Sequence, residues 1–269
     1  MKSHMTSPAE AAAHGARLSA VDLVCNYSAP FSADTMNELK DLSIIETDSF
    51  SSALNAAMGA EIGGKRSFVS ASALMLTEDM YVASYTRLPV VLFNTSRSPG
   101  TFSIKHDHND IMTVRDAGWL IFMPESNQEI IDTIIQAYKV CEDQRVLLPG
   151  IVNADISYYR EPVQMLNEKF TKRYISKFKP AFQLGGKKQY INVPDQDYPE
   201  FKKQQHRAMK NALEVIGKTS IDWKKKIGRT LGLIDSYKLE DADYAIVISG
   251  FHSTTAKAAV DKMRAAGKK

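Results

Sequence analysis

Along the first 154 residues, short apolar runs bounded by small or polar residues alternate with longer segments of helical period. VDLVCNY (21–27), IIET (44–47), SFVSAS (67–72), PVVLFN (89–94), WLIFMP (119–124) and RVLLPGIVN (145–153) read as strands. Between them, residues 8–20 read as a helix opened by Pro8, which suits the first helical position. Thr35–Leu42, the Ala-rich Ser51–Ile62, the segment around LTEDMYVASY (76–85), a short helix near VRDAG (114–118), and 127–140 behind SNQE complete the helical set. GGK (63–65) stops the Ala-rich helix. Apolar strands separated by helices predict an α/β fold: a doubly wound parallel sheet covered on both faces.

From Asp155 the periodicity fades. Residues 155–200 are rich in Pro, Tyr and Lys and read as an extended arm that wraps a partner. A long helical pattern occupies 200–231, and DADYAIVISG (241–250) followed by STTAKAAVDKMRAAGKK (253–269) reads as a strand–loop–helix unit. The chain is therefore divided into an α/β domain (1–154), an arm with a helix (155–235) and the start of a second α/β domain (236–269).

Composition narrows the function classes. The chain has 269 residues, 44% hydrophobic and 24% charged, with a net charge of +3, so nucleic-acid binding would need a local basic cluster. Lys224–Lys226 and the terminal lysine pair are the only dense ones, and a solvated helix face and a chain end account for them. No run of 18 uninterrupted apolar residues exists to span a membrane, and MKSHMTSPAE lacks the apolar core of a signal peptide. Two cysteines, Cys25 and Cys141, without a CxxC, fit a reducing cytoplasm. They are too few to ligate an iron–sulfur cluster, which takes four thiolates.

The stretch Gly63–Ala137 combines several features in one α/β unit. SFVSAS runs into an amphipathic helix, then come LPVVLFN, an arginine in the loop TSRSPG, the knot KHDHND, the strand GWLIFMP and the helix opened by SNQE. In these residues the chain resembles the α subunit, or N-terminal pyrimidine-binding domain, of the thiamine-diphosphate-dependent 2-oxoacid:ferredoxin oxidoreductases, the pyruvate:ferredoxin oxidoreductase type. The resemblance implies thiamine diphosphate held between this chain and a β-type subunit, with Mg2+ and a [4Fe-4S] cluster on that partner. It also implies oxidative decarboxylation of a 2-oxoacid, ferredoxin as acceptor, CoA as an optional co-substrate, and γ and δ subunits as further optional partners. GGK lacks the spacing and terminal Ser/Thr of a phosphate loop, and GFHSTTAK (250–257) reads as a helix cap built on Ser253 or Thr254 rather than an anion cup.

The resemblance nominates three site residues. Arg97 aligns with the family's arginine that looks toward the oxoacid carboxylate, a role suited to a fixed guanidinium fork; on its own, a loop arginine also suits a surface cation. Pro30, in Tyr27-Ser28-Ala29-Pro30-Phe31, stands where the family has a substrate-facing threonine. Phe50, in Thr47-Asp48-Ser49-Phe50-Ser51-Ser52-Ala53, stands where the family has the glutamate that shares a proton with the aminopyrimidine. Glu46 and Asp48 are near in sequence but offset across a strand-to-helix turn. His106–Asp110 matches the family's Asp-His-Gln-Asp segment. Its ligands are too closely spaced to converge on a metal, and a loop held by its own side-chain bonds is the reading kept. Three functions follow: a working α-type subunit, a divergent thiamine enzyme of the same build, and a non-catalytic structural subunit that has lost the glutamate.

Overall fold

A computed structural model describes residues 3–27, 39–40, 42–72, 76–98, 107–155, 160–180 and 198–269. Among these, six parallel strands form one sheet: β2 (Leu23–Tyr27), β3 (Ser43–Thr47), β4 (Ser67–Ser72), β5 (Val91–Ser96), β6 (Leu120–Phe122) and β7 (Gly150–Asp155). They lie in the order β3-β2-β4-β5-β7-β6. All residues of β4, β5 and β7 are buried, as a parallel sheet covered on both sides requires.

The period of two divides each strand between two layers. Val24, Phe68, Val91, Phe93 and Val152 face α1 (Pro8–Leu18) and α5 (Asn127–Cys141). Cys25, Val69, Leu92 and Ile151 face α2 (Phe50–Ile62) and α3 (Glu78–Tyr85). Helix α1 starts with a capping box in which Ser7 accepts from Glu10 N and Glu10 accepts from Ser7 N at 2.7 Å. It lies close on α5 because Ala11, Ala12, Ala13 and Ala16 face the contact; a Cβ at Gly15 would sit 2.9 Å from Ile134 Cβ. Gly64, in the left-handed region at φ 82°, stops α2 as GGK predicts.

Four readings change. The short helix at this edge is α4, Asn109–Thr113, ahead of VRDAG, whose residues form a turn. The described part of the supposed arm, 160–180, folds back on its own domain. There β8 (Glu161–Gln164) pairs antiparallel with β1 (Ser3–Thr6), and α6 (Glu168–Ile175) buries Thr171, Tyr174 and Ile175. Tyr174 packs 5.1 Å, centroid to centroid, from the buried Trp223 of α7 (Tyr198–Ile227). The long helix is thus present, and Ala208, Ala212 and Val215 seat it on Val140, Val146 and Leu148. Strand β7 ends at Asp155, one residue past the expected end of the first domain.

The third change concerns DADYAIVISG, which has no strand pairing among the described residues; Tyr244, Ile246 and Val247 stand in solvent. A strand sequence forms a strand only where a neighbour offers its backbone. The helix after it, α8 (His252–Ala265), does form. Its cap residue is Phe251, with no side-chain capping bond, and Thr254 Oγ1 donates instead to Phe251 O at 2.9 Å, which corrects the expected Ser253 or Thr254 cap. Ion pairs fasten this C-terminal segment: Arg229 to buried Asp132 at 2.5 Å, and Lys257 to both Glu125 and Asp235 at 2.7 Å. Most of the expected helix 35–42 falls outside the described residues, of which 39, 40 and 42 belong to it.

Candidate functional site at the carboxyl edge of the sheet

Open α/β sheets bind ligands beyond the carboxyl ends of their strands, where the strand order reverses. Here the order reverses between β2 and β4, and again around β5 and β7. Strand β3 is followed at this edge by Asp48, Ser49 and α2, β5 by Arg97, and β7 ends on Asp155.

Phe50 is the first residue of α2. Ser49 caps the helix by accepting from Ser52 N at 3.1 Å, and the half-buried Phe50 ring packs on the cluster of Cys25, Ala53 and Leu54, to which Tyr27 also contributes. The first turn of α2 carries no acid. Glu46 and Asp48 are exposed; Asp48 Oδ1 accepts from Ser52 Oγ at 3.3 Å. Asp79 reaches this helix from α3, accepting from Ser51 Oγ and, at 2.8 Å, from Asn55 Nδ2. Pro30 and His106 lie outside the described residues. Arg97 and Phe50 thus share one edge of the sheet, after strands that have β2 and β4 between them.

Arg97 is half-buried and leaves β5 directly above a buried polar network. Its backbone N–H donates to Asp110 Oδ2 at 3.4 Å, and the same oxygen accepts from Asn94 Nδ2 at 2.9 Å. The other carboxylate oxygen accepts from Ile111 N at 2.7 Å and from Ser96 Oγ. Asn94 also donates to Asn153 Oδ1 on the neighbouring strand at 2.6 Å. The 107–110 segment is held by its own side chains as the sequence implies: Asp107 accepts from Asn109 N and Nδ2, both at 2.8 Å.

Asp155, buried at the end of β7, joins this segment to the C-terminal one. Its Oδ1 lies 2.5 Å from His108 Nε2, and its Oδ2 accepts from Phe251 N at 2.8 Å. Gly250, at φ 72°, makes the contact feasible, since a Cβ there would meet Asp155 Oδ2 at 2.6 Å. The hydrogen bond to Asp155 raises the His108 pKa above the ordinary histidine value against the effect of burial. Asn94, Ser96, Asn153 and Asp155 were not singled out from the sequence, and Asp110 entered only as the last member of the His106–Asp110 motif; the signal for the others was polar residues closing otherwise apolar strands, in VLFNTS and GIVNAD.

The opposite, amino edge carries a second buried cluster. Glu61 accepts from Ser67 N and Oγ, both at 2.9 Å, and burial pushes its carboxyl up to about 8. Arg66 beside it forms a two-pronged ion pair with Glu142, at 2.5 and 2.8 Å, and donates to Ser19 O at 2.8 Å. Burial raises Cys25 to about 12, so its thiol is not a nucleophile at neutral pH.

Of the groups a thiamine half-site calls for, the carboxyl edge offers the half-buried ring of Phe50, and the first turn of α2 carries no acid. Among the described residues no group of three or more His, Cys, Asp or Glu is arranged for a metal, and no helix is long and apolar enough to cross a membrane.

Known proteins extend this geometry. The profile of the family described as pyruvate flavodoxin/ferredoxin oxidoreductase, thiamine diphosphate-binding, matches residues 27–222. Pyruvate synthase subunit PorA of Thermotoga maritima is 32% identical over 257 residues, covering 91% of this chain and 65% of that protein. PorA of Methanocaldococcus jannaschii is 31% identical over 282 residues, covering 96% and 72%. The alpha subunit of NADH-dependent phenylglyoxylate dehydrogenase from Aromatoleum evansii is 31% identical over 290 residues, covering 97% and 69%. In fold, 2-oxoglutarate:ferredoxin oxidoreductase from Magnetococcus marinus matches 99% of this chain and 52% of its own with a TM-score of 0.73, at 12% identity. The chain thus spans 65% of the length of the Thermotoga relative.

Proposed function

The chain belongs to the pyruvate flavodoxin/ferredoxin oxidoreductase family of thiamine diphosphate-binding domains, and on that premise we propose that it is the α-type subunit of a 2-oxoacid:acceptor oxidoreductase. It supplies the pyrimidine-side wall of a cofactor site completed by a β-type subunit, which carries Mg2+, the diphosphate contacts and the [4Fe-4S] cluster. When bound, thiamine diphosphate supplies the carbanion-stabilising chemistry that releases CO2 from a 2-oxoacid. This chain's own part is narrower. Phe50 packs against the ring and excludes water, and Arg97 binds and orients the oxoacid carboxylate. Pro30, at the position of the family's substrate-facing threonine, brings no hydroxyl to the reaction. Ferredoxin is the acceptor, with CoA and γ or δ subunits as optional participants. The buried, unpaired Cys25 and Cys141 fit a reducing cytoplasm. The division into a pyrimidine domain, a connecting segment and the start of a second α/β domain belongs to the same proposal.

The observation that carries this reading is the family match from residue 27 to 222 laid over a sheet whose carboxyl edge presents Arg97. Its test is co-expression with a β-type partner, followed by 2-oxoacid-dependent reduction of ferredoxin or methyl viologen. Arg97→Ala should lower kcat/KM by the equivalent of about 1.5–3 kcal/mol, the worth of a hydrogen bond to a charged group, while thiamine diphosphate affinity stays near parent. Full activity in that variant would sink the assignment of Arg97. Phe50 favours a second reading, a divergent or structural subunit of such a complex. An assembled complex that binds thiamine diphosphate yet turns over no 2-oxoacid would establish that alternative.

A further inference from the structure

We propose that Asp110 is a positioning residue that sets the direction in which Arg97 leaves the sheet. The inference rests on the reading of Arg97 as the oxoacid-binding cation, and it deepens that reading.

Asp110 is fully buried, and its carboxylate accepts on both oxygens from groups that define the end of β5. Oδ2 takes Asn94 Nδ2 at 2.9 Å and Arg97 N at 3.4 Å, whereas Oδ1 takes Ile111 N at 2.7 Å together with Ser96 Oγ. Donors therefore arrive from two places: three from the last turns of β5, and one from α4, where Asp110 itself resides. Asn94 is tied in turn to Asn153 of β7 in register, so the exit of the central strand is fixed to its neighbour as well. Ser96 Oγ also lies 2.9 Å from Asp107 O, which draws the 107–110 segment against the same point.

A carboxylate suits this place better than any other side chain of its size. It accepts on both oxygens and donates on neither, so four donors converge without one being left unpaired. An asparagine in either flip would present an amide group to two of the four donors. The residue following β5 is then free to take another exit angle. A guanidinium reaches its partner at the end of a long side chain, so a small rotation at its Cα moves the fork by an ångström or more. Displacement of that order costs up to about 100-fold in a positioned reaction. Asp110 does not touch the reacting atoms and acts only through the backbone of Arg97.

The test uses the assembled complex with Asp110→Asn, Arg97→Ala and the double variant. Asp110→Asn should raise the 2-oxoacid KM roughly 10- to 100-fold with a smaller change in kcat. In the Arg97→Ala background the same substitution should add almost nothing, because the group it positions is gone. Independently of turnover, hydrogen exchange of the peptide spanning 94–98 should accelerate in Asp110→Asn, since either flip of the asparagine turns its NH2 toward donors that hold the end of β5. A folded Asp110→Asn complex with parental KM, or one whose effect multiplies with that of Arg97→Ala, overturns the proposal and leaves Asp110 a purely structural residue. If Arg97→Ala alone keeps the parental KM, the parent reading fails as well, and that arm contains no change at Asp110. Should Asp110→Asn not assemble, Ser96→Ala, which removes one donor to Oδ1, is judged by the same KM, coupling and exchange criteria.

Discussion

Replacing Glu61 with glutamine should make the protein markedly more stable at pH 8 and leave it nearly unchanged at pH 5. The carboxyl is 1% exposed, and burial raises its pKa from an ordinary 4.5 to about 8, with Glu142 adding to the effect and Ser67 and Arg66 opposing it. The folded chain therefore keeps a proton up to about pH 8 that the unfolded chain releases above 4.5. Since the native state binds more protons across that window, stability falls as pH rises through it. The slope is about 1.4 kcal/mol per pH unit, or roughly 5 kcal/mol over the whole window. Glutamine has the shape of the neutral acid and keeps the oxygen that accepts from Ser67 N and Oγ. Its added N–H group falls where Oε2 already has no partner among the described residues. Thermal or urea unfolding of both proteins, followed by circular dichroism from pH 5 to 8, isolates this residue, because Glu142, Arg66, Tyr138 and Cys25 are common to both. Parallel pH profiles for the two proteins would refute the reasoning and show that Arg66 keeps Glu61 ionised in the fold.

Three further predictions concern other parts of the molecule. The His108–Asp155 pair, with its raised histidine pKa, should hold the Gly250–Phe251 turn fully below about pH 6.5 and release it as pH rises through the folded-state value; protection of amides 250–253, taken relative to their intrinsic exchange rates, should fall with pH in the parent and lose that dependence in His108→Gln. Phe50→Glu, in the assembled complex, should speed C2–H exchange of bound thiamine by about 10²–10⁴-fold if the missing acid is what limits it, and an unchanged rate would mean another group already fills the role. Gly15→Ala should destabilise by about 1–3 kcal/mol, because its Cβ would meet Ile134 at 2.9 Å in a contact with no slack; an unchanged unfolding midpoint would mean that α1 and α5 can separate without loss.

The sheet was legible because its strands are apolar on both sides, and VCNY, SFVSAS and VVLFN admit few other readings. Two of the helices against it were legible at their starts, through Pro8 and through SNQE ahead of residue 130. Two features escaped for opposite reasons. SHMT and EPVQ are too short and too polar to announce a pair of strands, and they form one only because the fold brings residues 3 and 164 together. DADYAIVISG announces a strand strongly, yet strand formation depends on a neighbour that composition cannot supply. At the site, Arg97 and Phe50 could be nominated by resemblance. Asp110 was legible only as part of the His106–Asp110 motif, and its role was not, since a carboxylate in a His/Asp-rich loop resembles a surface turn until Asn94 and Ser96 are seen converging on it.

The solvent-facing run from Tyr244 to Ile248 has a practical consequence for anyone handling the chain. Val247 is as exposed as in an extended peptide, and Tyr244 and Ile246 are 86% and 72% exposed. Five such residues form a sticky ribbon that any extended segment of compatible side chains can zip onto. Asp243 flanks it on one side and acts as an electrostatic guard whose repulsion weakens as salt is added, whereas the neighbouring Asp241 is held by Arg264 and Lys269. Preparations of the isolated chain should therefore stay dispersed in dilute, low-salt, neutral buffer and clump when concentrated in high salt. A substitution such as Val247→Lys should cure the clumping without touching the buried sheet, whose last strand ends at Asp155.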